Sequence, residues 1–194
     1  MTAAEGPPAG PPGKAIAGGA AGGAADGDAE EIARAICLRM LTAAPRTRAQ
    51  LAQGMARRNV PEGIAERVLE RFTDAGLIDD AAFAAAWVES RHAGRGIGRR
   101  GLAYELRARG VDEELVDEAV CGLTAEREQA TAEDLVARKL AATRGLDTQV
   151  RVRRLAGMLA RRGYPAGVAA RVIREALDAE GVDTEGLDDL LPDR

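Results

Sequence analysis

A block of 25 residues recurs three times along this 194-residue chain. "RAQLAQGMARRNVPEGIAERVLERF" (48–72) lies over "RRGLAYELRARGVDEELVDEAVCGL" (99–123) and "VRRLAGMLARRGYPAGVAARVIREA" (152–176) without a gap, at offsets of 51 and 53. Repetition at this period restricts the fold severely, because one such unit buries too little to be secure alone and must stack on its neighbours. Apolar residues coincide at Leu51, Leu102 and Leu155, and at Met55, Leu106 and Leu159. They coincide again at Ile64, Leu115 and Val168, and at Leu69, Val120 and Ile173. Spacings of three to five residues belong to one buried face of a helix. Asn59, Gly110 and Gly163 share a position, and these residue types tolerate the left-handed conformation that closes a helix. Pro61, Asp112 and Pro165 follow two residues later, where a new helix can begin.

A further helix precedes each block, over about 29–43, 80–93 and 131–143, and the same offsets align Ile32, Phe83 and Val136, then Ile36, Trp87 and Leu140. The predicted fold is all-α, with three tandem three-helix, helix-turn-helix-like repeats (29–78, 79–126 and 127–178) in an elongated array. The Gly/Pro/Ala-rich extension 1–28 has too little to bury and is expected to be disordered. The acidic tail 179–194 is expected to fray. Phe72, Phe83, Trp87, Tyr104 and Tyr164 are the whole aromatic complement, so Ala, Leu, Val and Ile must build the core. Phe83 and Trp87, four apart on one helix, read as core packing.

Several classes of function are disfavoured. No apolar run approaches the roughly 18 residues of a membrane span, and the N-terminus lacks the pattern of a signal peptide. A cytoplasmic monomer without membrane association is expected. Cys37, on an apolar face, and Cys121, at a position that reads as exposed, fit that compartment as reduced thiols. With a single histidine they give no metal spacing, and no metal or cofactor is expected. "GIGRRG" (96–101) has the spacing of a dinucleotide cradle, but a helical period precedes it where a strand is required. The repeat alignment places it at the joint between first and second helices, beside "PRTRAQ" (45–50) and "QVRVRR" (149–154). Ser90 and His92, two apart on a helix, point away from each other, and Asp79-Asp80 reads as a helix start. No catalytic residue is assigned.

Charge is distributed unevenly. Residues 178–194 hold seven acids against Arg194, while the body between the termini is mildly basic. Arg91, Arg95, Arg99, Arg100, Arg107 and Arg109 form the densest cluster. Arg57, Arg58, Arg151, Arg153, Arg154, Arg161 and Arg162 occupy related places in the other repeats. This density suits phosphates or an acidic protein surface, and equally a solvated face in an arginine-biased proteome. Major-groove reading by the last helix is disfavoured, because in the middle repeat that helix carries Asp112, Glu113, Glu114, Asp117 and Glu118 and no cation. That repeat is basic on its second helix and acidic on its third, which suits a protein partner, including one that coats nucleic acid.

"GLIDDAAFAAAWVESR" (76–91), "LAYELRARGVDEELVDEAV" (102–120) and "LARRGYPAGVAARVI" (159–173) resemble the RecX family, regulators of the RecA recombinase. The resemblance spans about 29–177. It implies three three-helix repeats in a curved, elongated body lying in the groove of the RecA–single-stranded-DNA filament. It also implies suppression of ATP hydrolysis, strand exchange and co-protease activity, with the thirteen arginines above as candidate filament or DNA contacts. Direct DNA contact is expected to be weak. The alternative is a stand-alone DNA-binding helical repeat protein.

Overall fold

A computed structural model of the chain describes residues 20–183, with side chains from residue 26 onward. Among the described residues there is no β-strand. The helices are α1 (Ala20–Ala43), α2 (Arg48–Ala56), α3 (Glu62–Asp74), α4 (Asp80–Arg95), α5 (Arg99–Arg107), α6 (Glu113–Cys121), α7 (Ala125–Leu140), α8 (Thr148–Arg161) and α9 (Ala166–Asp178). A single 3-10 turn, Ala141–Thr143, follows α7.

Each consecutive triplet closes around its own apolar cluster. Ala33, Ile36, Cys37, Leu51, Met55 and Leu69 anchor the first. Ala84, Val88, Leu102, Leu106 and Val116 anchor the second, and Val136, Val152, Leu155, Leu159 and Ile173 the third. The repeated apolar pairs on the second helices, Leu51 and Met55, Leu102 and Leu106, Leu155 and Leu159, are buried, each side chain contributing roughly 1.5–3 kcal/mol of transfer free energy. The turn after each second helix is likewise one structure used three times. Asn59, Gly110 and Gly163 have φ of 59°, 73° and 79°. The amides of Val60, Val111 and Tyr164 donate back to the carbonyls of Met55, Leu106 and Leu159 at 3.2, 3.3 and 3.2 Å. This is the six-to-one bond of a left-handed helix stop.

The structure departs from the sequence reading at two helix starts and at one residue of the predicted core stripe. Helix α1 begins at Ala20, inside the segment expected to lack order. Alanine is the strongest helix former, and extending a packed helix is far cheaper than starting one. Residues 1–19 lie outside the described residues, as do tail residues 184–194. Helix α7 begins at Ala125, well before residue 131, because the Thr124 side chain accepts from the Arg127 amide and caps it there. Ile32, aligned with Phe83 and Val136, is 57% exposed, because the buried stripe of α1 runs through Ala33, Ile36 and Cys37 beside it.

The joints between repeats use the same slots twice. At the first, the Thr47 hydroxyl donates to the carbonyl of Arg109 at 2.7 Å, and the Arg48 amide donates to Asp80 at 2.9 Å. At the second, the Gly98 amide donates to the carbonyl of Arg162 at 2.8 Å, and the Arg99 amide donates to Glu128 at 2.8 Å. In both, the start of a second helix receives the turn of the next repeat, and a carboxylate from the next repeat's first helix takes its free amide. The glycines of "GIGRRG" therefore seat the third repeat as well as joining α4 to α5. A Cβ on Gly163 would stand 2.1 Å from the Gly101 nitrogen, and one on Gly101 would stand 2.6 Å from the Arg162 oxygen. Gly96 ends α4 in the left-handed conformation with φ of 60°.

His92 completes the second joint. It is buried in α4, with Nδ1 2.9 Å from the Ile97 carbonyl oxygen and Nε2 2.9 Å from Thr131 Oγ1 on α7. At the far end of the array the slot is occupied differently. Arg151 stands where Thr47 and Gly98 stand in the earlier repeats, and α8 starts at Thr148, one turn earlier relative to the repeat frame than α2 and α5. The Arg151 side chain is buried, donates to Thr143 Oγ1 at 3.2 Å and pairs with Glu180.

Candidate binding surface

The arginines picked out by their density divide into two groups in space. Seven are held by partners within the fold, five of them by partners other than their own helix backbone or a neighbouring glutamine. Arg109 and Arg91 place their guanidinium carbons 3.6 and 4.1 Å from the Trp87 ring centroid, and Arg91 also reaches Glu105 at 3.5 Å. The Trp87 indole donates to Glu105 at 2.8 Å and stacks on Phe83, with ring centroids 5.7 Å apart. Phe83 and Trp87 are half-buried, so the pair forms the rim of the second core with an arginine cover. Burial lowers the proton affinity of Arg109, against the raising effect of Glu105. Arg107 spends its charge on Glu113 and Asp117, so the basic and acidic faces of the middle repeat partly neutralise each other.

Arg99 belongs to the second joint. Its side chain donates to the Leu123 carbonyl and lies 3.6 Å from the Glu128 carboxylate. Its Nε and the nearby Tyr164 hydroxyl are buried without hydrogen-bond partners. The Tyr164 hydroxyl is pushed up to about 12, chiefly by burial and then by the Glu128 charge. Arg151, the fifth, is locked to Glu180 as described. Arg57 and Arg58 fold back on their own helix, toward Gln53 and the Gly54 carbonyl, at 2.8 Å in each case.

The remaining candidates meet no acid among the described residues. Arg95 and Arg162 flank a groove of about 870 Å³ between the second and third repeats, where α4 ends against α7 and α8. Arg161 lines the same groove and two adjoining hollows, one shared with Arg153 and Arg154 and the other with Arg154 and Lys139. These five arginines are thus brought onto one continuous surface, from which the Trp87 cluster is separate. Arg100 is exposed on α5.

The structure adds three residues that density alone did not single out. Arg138 and Lys139, on the last turn of α7, line the large groove opposite Arg161, with Asp134 as its one acid. Tyr104 is 74% exposed, one turn beyond Arg100 on α5. Its aligned positions are Gln53 and Gly157, which already marks the site as outward-facing. Exposed aromatic and arginine side chains on one helix face are the residue types that anchor protein interfaces. On the acidic side, Glu113, Glu114, Asp117 and Glu118 of α6 all face solvent and would repel a phosphate backbone.

Nothing in this arrangement has the geometry of a nucleophile and its base. His92 is occupied on both ring nitrogens, and Cys37 is buried, its thiol pushed up by desolvation. Cys121 is exposed. Among the described residues no group of three or more His, Cys, Asp or Glu side chains is placed to hold a metal ion. No helix there is long and apolar enough to cross a membrane.

Comparison with known proteins matches each repeat separately. The first three-helix domain of RecX matches residues 33–72, the second 79–120 and the third 126–173. The regulatory protein RecX of Thermobifida fusca is 63% identical over 153 residues, covering 79% of this chain and 83% of that protein. The Streptomyces coelicolor protein of the same name is 63% identical over 159 residues, covering 82% and 85%. That of Mycobacterium ulcerans is 52% identical over 152 residues, covering 78% and 88%. The crystal structure of RecX from Lactobacillus salivarius superposes with a TM-score of 0.73 at 17% identity, over 79% of this chain and 99% of that one. It shares the fold.

Proposed function

Since the chain belongs to the RecX family of regulatory proteins, we propose that it acts on the RecA filament assembled on single-stranded DNA. Binding there suppresses ATP hydrolysis, strand exchange and co-protease activity. The contacts are assigned to Arg95, Arg100, Arg153, Arg154, Arg161 and Arg162. Arg91, Arg99, Arg107, Arg109 and Arg151 support them by holding the frame. The observation that carries this reading is the surface across the second and third repeats, where five arginines converge with Arg138 and Lys139 around a single acid. Guanidiniums without an acid partner among the described residues are available to phosphate oxygens or recombinase carboxylates, which their planar fork can meet in pairs of bonds.

The protein works by occupancy and not by chemistry, and it needs no cofactor. Its place of action is the cytoplasm, and it acts as a monomer. The test is single-stranded-DNA-dependent ATP hydrolysis by the source organism's RecA, titrated with the chain. Inhibition complete well below one molecule per RecA protomer is the expected result. No effect at saturation by folded protein overturns it. In that case tight binding to a bare oligonucleotide at physiological salt would identify a stand-alone DNA-binding protein.

A further inference from the structure

We infer that the chain's own acidic C-terminal segment, residues 184–194, lies along the open arginine row of α8 and covers it. Arg151, Arg154, Met158 and Arg161 are spaced by three, four and three residues, and so share one face of that helix. The first position of the row is already taken from this direction. Glu180, just past α9, pairs with Arg151 and, at 2.8 Å, with Arg144. Beyond it the row meets no acid among the described residues. Arg154 and Arg161 line a hollow with Lys139 over a floor that includes Leu155 and Met158, and no acid among the described residues borders it.

The sequence that follows Glu180 complements this hollow in both charge and apolarity. "TEGLDDLLPDR" sets Glu185, Asp188, Asp189 and Asp193 among Leu187, Leu190 and Leu191. Length is no obstacle. Eleven residues reach at most about 36 Å when extended, while the ten-residue step from Arg151 to Arg161 rises about 15 Å along the helix. The Glu180 anchor starts the segment at one end of the row, so docking is intramolecular and favoured by a high effective concentration. The segment thereby competes with any external polyanion for Arg154 and Arg161. That regulatory consequence rests on the proposed role of these arginines in contacting the filament or DNA, whereas the docking does not.

The test uses the full chain with Glu185→Gln, Asp188→Asn, Asp189→Asn and Asp193→Asn combined. The Nε–Hε resonances of Arg154 and Arg161 are followed by nuclear magnetic resonance and assigned with the single variants R154Q and R161Q. Docking predicts that both resonances move in the neutralised chain and that added salt moves the wild-type signals the same way. Unmoved resonances overturn the proposal, whatever else the variant does. Affinity for a fluorescein-labelled oligothymidylate, measured in parallel at low salt, should rise on the order of tenfold, the summed effect of several exposed ion pairs. Moved resonances with unchanged oligonucleotide affinity establish the docking and instead refute the role of the row in phosphate contact.

Discussion

The backbone amide of Gly98 donates to the carbonyl oxygen of Arg162 at 2.8 Å, and this bond repeats, in a different chemical form, the one between Thr47 and Arg109. Position 98 is the equivalent of 47 and position 162 of 109, at the offsets of the repeat. Where a threonine hydroxyl reaches the turn in the first joint, the second brings backbone directly against backbone. The second joint is consequently closer, and glycine is obligatory on both of its sides.

Gly163→Ala should therefore cost about 3 kcal/mol or more, because a methyl group cannot be placed 2.1 Å from the Gly101 nitrogen and φ of 79° already disfavours it. Gly94→Ala, with open space around its Cβ position in α4, should instead stabilise the chain by roughly 0.5–1 kcal/mol. Urea denaturation of the two variants checks both signs.

Thr47 is buried, caps α2 through the Gln50 amide and donates across the first joint. Thr47→Val keeps the shape and loses both bonds, so about 2 kcal/mol should be lost, one part from the cap and one from the unmet Arg109 carbonyl. Thr47→Ser should retain most of that stability. The difference between the two variants in urea midpoint measures the hydroxyl alone.

The two groups of arginines should separate cleanly on mutation. R154Q combined with R161Q should leave the urea midpoint unchanged while weakening both RecA inhibition and oligonucleotide binding, with a shallower salt dependence. R99Q should lower the midpoint, because the Leu123 carbonyl and the buried Glu128 lose a cationic partner at the second joint. Equal effects of both changes on folding would contradict the division.

Hydrogen bonds from Arg151 and then Arg144 hold the Glu180 carboxyl below the ordinary carboxylate range. A lowered folded value means that the contribution is complete above the unfolded value, near 4.3, and disappears as pH falls through the folded one. Wild type should melt above Glu180→Gln at pH 7, and the gap should close as the pH is taken below the unfolded value and through the lowered folded one. A gap independent of pH would show that the pairing carries no such linkage.

Sequence periodicity made the triplets legible because stacking copies must bury the same positions. Leu51, Leu102 and Leu155, with Met55, Leu106 and Leu159, are buried as their spacing requires. The left-handed turns at Asn59, Gly110 and Gly163 were legible for the same reason. Ile32 was misleading, since a hydrophobic residue one position off a helix stripe looks like a member of it. The candidate surface was only half visible. Arginine density along the chain cannot distinguish a guanidinium stacked on Trp87, such as Arg109, from one open to solvent, such as Arg161. That difference depends on which acids and rings the fold brings near. Density along the chain does not mark Arg138 and Lys139, because the arginines that share their groove, Arg95, Arg161 and Arg162, are more than twenty residues away in sequence.

Arg151 changes the third repeat at the position where the first two receive a neighbour. A stack whose last slot matched Thr47 or Gly98 would present a seat for the first repeat of another molecule. Copies joined in that head-to-tail way form rings where the rotation closes and open fibres where it does not. The extra turn of α8 consumes the amides that such a newcomer would need, and the Arg151–Glu180 pair fills the seat itself. At the third repeat, the slot that takes a neighbour at Thr47 and at Gly98 is thus filled from within.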